Sequence, residues 1–179
     1  MDLVTLKDNQ IITLRPINLK DIYARHNFWV ELSLEQTGIV HTSEEVEFHT
    51  HETQDKIQDF LRMNKGLWLV ALNQRQEIVG EVDILIKNLT RIKHVGLLSI
   101  GVLKAYQGLG LGSALLNSAL MWAQSHGLKR VELFVFESNK AGLGLYKKHG
   151  FVIEGQRKKF LRHAENIFED DFLMAIYFN

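Results

Sequence analysis

Two short stretches of the chain carry residues arranged for chemistry. The first is Gln107-Gly108-Leu109-Gly110-Leu111-Gly112-Ser113, set between an apolar strand pattern and a long helical one. Glycine at alternate positions lets backbone approach a ligand closely. The helix that follows presents its first N–H groups without internal partners, and the positive end of its dipole. Together these make a seat for phosphate or pyrophosphate. A tight turn needing positive φ would leave the same glycine trace. Two nucleotide loops are excluded by spacing. A dinucleotide fingerprint needs G-x-G-x-x-G in a parallel βαβ unit, whereas the spacing here is G-x-G-x-G. A Walker loop ends in G-K-[ST], whereas Gly112 is followed by Ser113 and Ala114.

The second stretch is Asn139-Lys140-Ala141-Gly142-Leu143-Gly144-Leu145-Tyr146, followed by Lys147-Lys148-His149-Gly150-Phe151. Asn139 follows a strand pattern, where its amide can cap the next helix or bind a ligand amide. Tyr146 lies two helical turns later on the same face, so its phenol can point where Asn139 points. A plain N-cap and a core aromatic are the structural alternatives. Gly142 and Gly144 each cost about 1 kcal/mol of helix propensity relative to Ala, so packing must hold this helix.

The rest of the sequence supplies elements to position these stretches. Ile11 to Arg15 reads as a short strand stopped by Pro16. Asn18 or Asp21 can cap a helix running into Phe28-Trp29-Val30. Glu31 to Thr50 is polar and poorly periodic, and reads as a loop or broken helix able to shape a cleft. Glu52 to Lys65 is helical, with Ile57, Phe60, Leu61 and Asn64 at helical spacing and Gly66 as its stop. Leu67 to Leu72, Ile78 to Ile86 and His94 to Val102 form an antiparallel meander, with Glu81 and Asp83 on one face of the middle strand. Ser113 to His126 is a helix with a wide apolar face (Leu115, Leu116, Ala119, Leu120, Trp122, Ala123), ended by Gly127. Val131 to Phe136 is a strand, Lys140 to Lys148 a short helix, Phe151 to Glu154 the start of another strand, and Phe172 to Phe178 the last. The order β-α-α-β-β-β-α-β-α-β-β implies an α/β fold with a mixed, mostly antiparallel central sheet flanked by helices.

Composition sets the boundaries. The 179 residues (20.6 kDa) read as one domain, 1–179. Lys plus Arg equals Asp plus Glu, 21 each, so the surplus cation of a nucleic-acid binder is missing. There is no cysteine, which excludes a thiol nucleophile and a disulfide scaffold and suits a reducing compartment. The N-terminus shows no signal pattern, and no apolar run is long enough to span a membrane. The expected setting is cytoplasmic, without membrane or nucleic-acid partners.

The two motifs together resemble the GNAT superfamily of acyl-CoA-dependent N-acetyltransferases. Its phosphate loop, Q/R-x-x-G-x-G/A, is matched by Gln107, Gly110 and Gly112. Its later block, N-x-x-A-x-x-L-Y-x-K-x-G-F, is matched by Asn139, Leu145, Tyr146, Lys148, Gly150 and Phe151, with Gly142 in place of alanine. Leu14-Arg15-Pro16 is similar to the start of many members. The resemblance covers the chain in element order and is specific from about Ser99 to Phe151. It implies a GNAT-like fold and acetyl-CoA as cosubstrate, with no metal. Backbone at Ile100, Gly101 and Val102 would pair with the pantetheine arm, Gln107 and the amides of Gly108, Leu109, Gly110, Leu111, Gly112 and Ser113 would hold the pyrophosphate, and Asn139 would bind near the thioester. Tyr146 would protonate the departing thiolate, and a backbone N–H around Val102 would steady the developing oxyanion. The acceptor would be a primary amine on a small molecule or a protein.

One departure stands out. Many relatives carry a glutamate on the strand before the phosphate loop, but Gly96-Leu97-Leu98-Ser99 has no acid. Glu81, Asp83, His94, Glu132 or water are the candidate bases, and a catalytically silent acyl-CoA sensor is the rival reading. His41 with His49-Thr50-His51 reads as polar surface rather than a metal site. Arg157-Lys158-Lys159, Arg162 and His163, balanced by Glu165, Glu169, Asp170 and Asp171, read as a solvated hairpin. Trp29 and Trp68 read as core rather than acceptor contacts, although the resemblance implies that Trp29 precedes the variable loop shaping the acceptor cleft. The apolar FLMAIYF segment suggests a homodimer made by pairing C-terminal strands.

Overall fold

The computed structural model describes residues 2–35, 38–47, 50–63 and 66–179, apart from the side chains at 43, 47, 50–53 and 63. An antiparallel hairpin opens the chain: β1 (Asp2–Thr5) and β2 (Ile11–Pro16). Helices α1 (Ile22–Leu34), α2 (Ser43–Glu47) and α3 (Thr50–Met63) follow. Strands β3 (Gly66–Leu72), β4 (Ile78–Ile86) and β5 (Val95–Val102) form the expected meander. Then come α4 (Leu111–Ser125), β6 (Arg130–Phe136), α5 (Lys140–Lys148), β7 (Val152–Ala164) and β8 (Ile167–Tyr177). The sheet has eight strands in the order β1-β2-β3-β4-β5-β6-β8-β7. Every neighbouring pair is antiparallel except β5 with β6, which α4 connects as a crossover.

Helices cover both faces. On one face, α4 lies against β4: a Cβ added to Gly80 would meet Leu115 Cδ1 at 3.2 Å and Leu111 Cδ2 at 3.4 Å. On the other, α1 lies against β5: a Cβ on Gly101 would meet Leu32 Cδ2 at 3.0 Å. Phe28, Val70, Val82, Ile84, Leu115, Leu116 and Val131 are fully enclosed between these layers. The β4 alternation therefore puts Val82 and Ile84 under α4, and Glu81 and Asp83 on the α1 face.

The elements depart from sequence expectation in several places. The hairpin strand β1 has no sequence signature beyond Leu3-Val4; it forms because the Leu6–Gln10 turn closes, with Leu6 N–H donating to Gln10 O at 2.8 Å. Asn18 and Asp21 make a reciprocal cap on a 3₁₀ turn that leads into α1. Helix α1 runs on to Leu34 and α2 occupies part of the expected loop, because Leu32 and Val46 find core to bury against. In α3, Ile57 and Phe60 are buried but Leu61 is exposed; Asn64 and Lys65 lie outside the described residues. Helix α4 starts two residues early, taking in Leu111 and Gly112. The final strands are much longer than their apolar cores, since ion pairs extend them. Arg157 pairs with buried Asp171, Lys158 with Asp170 and His163 with Glu169. The expected C-terminal pairing of two copies is corrected here: β8 has β6 on one side and β7 on the other, so the outer edge belongs to β7.

Gly66 shows where the sheet tolerates no side chain. Its φ is +141°, and a Cβ would sit 1.9 Å from Ile84 O. Gly66→Ala is expected to lower stability by roughly 3 kcal/mol or more. Urea unfolding should show a lower midpoint with an unchanged slope.

Candidate active site

The site begins where two strands part. β5 pairs with β6 only at Val95–Arg130, Gly96–Val131 and Leu97–Glu132. Beyond Leu97, β5 stays bonded to β4 as far as Val102, while β6 continues along β8. The β6-facing edge of Leu98 to Val102 therefore has no strand partner. A cleft of about 860 Å³ opens there, with Ile100, Gly101 and Val102 on one wall and Phe134, Val135 and Phe136 on another. An extended ligand with amide groups could satisfy that edge as an added strand would.

The glycine loop closes one end. Its approach is fixed by the Glu35 carboxylate, which accepts the Lys104 N–H at 2.9 and 3.0 Å. Gln107 Nε2 donates to Val102 O at 2.9 Å, so this side chain ties the loop to the strand. Gly108 and Gly110 have φ of +72° and +103°, and an added Cβ at either would meet nothing within 4 Å. The surface above them is open. Ala114 makes the first bond of α4, to Gly110 O at 3.0 Å, so the N–H groups of Leu111, Gly112 and Ser113 precede the helical ladder. Leu111 is wholly buried, and neither it nor Leu109 lines the cleft, whose loop wall is Gly108, Gly110, Gly112 and Ser113. This cradle of unpaired N–H groups at a helix N-terminus fits a diphosphate.

Helix α5 forms another wall. Asn139 Oδ1 accepts the Gly142 N–H at 2.8 Å, so the side chain does cap the helix. A Cβ on Gly142 would lie 2.8 Å from Asn139 Nδ2, so this cap suits the glycine that departs from the family pattern. The β7–β8 hairpin holds the preceding loop: Glu169 accepts the Ser138 N–H at 2.8 Å, and Asp170 O accepts that of Glu137 at 3.0 Å. Tyr146 is 7% exposed and packs on Phe151, ring centres 5.9 Å apart. Its hydroxyl has no hydrogen-bond partner among the described residues, and the residue lines the cleft. Burial raises the phenol's pKa well above its ordinary value, which keeps the proton on.

The four candidate bases separate clearly. Glu81 is buried, with both oxygens engaged: Arg25 Nε at 3.0 Å and Nη2 at 3.1 Å, Trp29 Nε1 at 2.6 Å and Trp68 Nε1 at 3.1 Å. Glu132 is paired with Arg130 at 2.8 Å. His94 precedes β5 at the end opposite the glycine loop, about 26 Å from Val102 at strand rise. Asp83 alone lines the cleft without a hydrogen-bond or ion-pair partner among the described residues. Burial, and then the charge of Glu81, push its carboxyl up to about 8, against the opposing pull of Arg25.

Sequence reading missed Arg25, whose guanidinium also stacks 4.7 Å from the Trp68 ring centre and 5.2 Å from that of Trp29. Nothing in a helical arginine announces a buried role. Trp68 is core as expected, but Trp29 is half-buried and lines the cleft beside His41, 6.1 Å away edge to face. No cluster of three metal-ligating side chains occurs among the described residues; His49 and the His51 side chain lie outside them.

The model of the acetyltransferase (GNAT) family matches residues 27–151. An L-amino acid N-acetyltransferase of Escherichia coli is 30% identical over 142 residues, covering 76% of this chain and 86% of that one. An N-alpha-acetyltransferase of Sulfurisphaera tokodaii is 38% identical over 87 residues, about half of each chain. Among solved structures, a GNAT-family acetyltransferase from Streptococcus pneumoniae superposes with a TM-score of 0.85 at 31% identity, over 93% of this chain and 99% of that one. The Salmonella typhimurium protein yncA, solved with acetyl-CoA, shares the fold at a TM-score of 0.79 and 18% identity, over 94% of each chain. The chain belongs to the GNAT acetyltransferase family and is an acetyl-CoA-dependent N-acetyltransferase.

Proposed function

We propose that the enzyme acetylates a primary amine by direct attack of that amine on the thioester, with Asp83 as general base and Tyr146 as general acid. The observation that carries this reading is that Asp83 and Tyr146, from β4 and α5, line one cleft and both lack a protein partner among the described residues. When bound, acetyl-CoA supplies the acetyl group as an activated thioester. The N–H groups at Gly108 to Ser113 hold its phosphates, the free edge of Ile100, Gly101 and Val102 receives its amide arm, and Asn139 lies near its reactive end. The Val102 N–H donates to the thioester oxygen as negative charge develops there. Asp83 takes a proton from the incoming ammonium and passes it to solvent, leaving a neutral nucleophile. Tyr146 gives its proton to the leaving sulfur, and the proton shed by nitrogen as the amide forms restores the balance. A thiolate in the same apolar surroundings is also made more basic, so the weakly acidic phenol remains a competent donor.

The acceptor is an amine on a small molecule or a protein. The names of the relatives put the α-amino groups of amino acids and peptides first in a test panel. A cysteine-free chain suits a reducing compartment, and the cytoplasm is the proposed setting. The test is acetyl-CoA titration by calorimetry, followed by free-thiol release with that panel. Binding with turnover supports the reading; binding without turnover across amines of every class would leave a sensor.

Tyr146→Phe is expected to lower kcat on the order of 10²-fold and to leave the acetyl-CoA Kd nearly unchanged. Equal turnover would remove the acid role. For Asp83, the rate should rise with pH through about 8, and Asp83→Asn should abolish that inflection. A second consequence concerns stability. The folded-state pKa of Asp83 is raised from 3.8, so the stability it allows in acid is lost as pH rises from about 4 to about 8. Asp83→Asn should therefore melt higher than the parent at pH 9 and alike at pH 4, as differential scanning calorimetry would show.

A further inference from the structure

We propose that Lys7, on the turn between β1 and β2, is a ligand for a phosphate of the bound cosubstrate. The inference rests on the acetyl-CoA reading of the cleft and goes beyond the glycine loop. Neither motif includes Lys7, which lies a hundred residues upstream of that loop in sequence.

The β1–β2 turn packs directly on the loop. The Lys7 N–H donates to Leu109 O at 3.1 Å, and Lys7 Nζ donates to Gly108 O at 3.2 Å. Lys7 lines the cleft together with Gly108, Gly110 and Ser113. Its backbone is fixed. Leu6 is buried at 3% exposure, Leu6 N–H donates to Gln10 O, and Asn9, at φ +67°, donates to Leu6 O at 3.0 Å. The ammonium thus starts from an anchored turn, and less freedom is lost when it meets an anion.

Charge makes the same point. The segment Gln107 to Ser113 contains no cationic side chain, so the loop offers only backbone dipoles. Lys7 has no carboxylate partner among the described residues. The neighbouring acid, Asp8, instead accepts from the Gln10 backbone at 3.2 Å and its side chain at 2.6 Å. One of the three donors of the Lys7 ammonium is used on Gly108 O, and two are free. A cation beside a cradle of N–H groups, without an acid to neutralise it, has the chemistry of a phosphate ligand. The other lysines lining the cleft, Lys140 and Lys148, belong to α5.

The test is calorimetric titration of acetyl-CoA and of 3′-dephospho-acetyl-CoA into the parent protein, Lys7→Met and Lys7→Arg, at 50 mM and 300 mM salt. Lys7→Met should weaken acetyl-CoA binding about fivefold at low salt, and the loss should shrink at high salt. Lys7→Arg should restore most of the affinity. The same loss with the dephospho compound assigns the pyrophosphate; disappearance of the loss assigns the 3′-phosphate. An unchanged Kd in Lys7→Met would overturn the proposal. Failure of the parent to bind at all would overturn the acetyl-CoA reading itself, which separates the two. Should Lys7→Met melt lower than the parent, the shift of the ¹³C-dimethylated Lys7 signal on adding acetyl-CoA to the parent decides. A moving signal supports the contact, and a still one removes it.

Discussion

The structure turns on a sheet that is deliberately left incomplete. β5 and β6 hold together for three residue pairs and then diverge, because β6 follows β8 while β5 stays with β4. A buried strand edge without partners is costly, since each backbone N–H and C=O taken from water needs a hydrogen bond. This edge is stable only because it opens onto a cleft and not onto packed core. The surrounding elements each work on that opening. Helix α4 brings its N-terminus to one end, α5 brings Tyr146 to a wall, and α1 covers the face that carries Asp83.

Burial, rather than any special residue type, sets the protonation character of Tyr146 and Asp83. Tyr146 and Asp83 are pushed in the same direction, upward, by loss of water. For a phenol that means holding its proton until a strongly basic atom arrives. For a carboxylate it means basicity moved toward that of an amine. Glu81 adds to the effect on Asp83 but is itself fully engaged, because two indoles and a guanidinium occupy its oxygens. Two acids on successive α1-facing positions of one strand thus end up one with its oxygens occupied and one without a side-chain partner among the described residues, by what α1 and β3 place against them.

The terminal hairpins brace the site from outside. The first packs on the glycine loop through Lys7. The last holds the lead into α5 through Glu169 and Asp170. The charged sequence of the β7–β8 hairpin reads as solvated surface, and much of it is, but the Glu169 carboxylate also fixes Ser138, and the Asp170 backbone carbonyl fixes Glu137, next to Asn139. Charge pairing across the two strands extends them well past their apolar segments, so hydropathy alone underestimates their length.

Local pattern was enough to determine the elements. Alternation fixed β4 residue for residue, helical spacing and stop glycines located α4 and α5 closely, and the two motifs named the family because they encode short-range geometry: a turn, a cap, two helical turns. The sequence also put Glu81 and Asp83 on one face, since strand period requires it. It could not say which of them keeps a free carboxylate, because that depends on Arg25, Trp29 and Trp68, which approach from α1 and β3. It gave no sign of β1, whose pairing rests on a turn closing rather than on apolar content. It could not place Lys7 on the glycine loop, or show that β8 lies inside the sheet. Those outcomes come from contacts between residues far apart in the chain, and tertiary packing alone decides them.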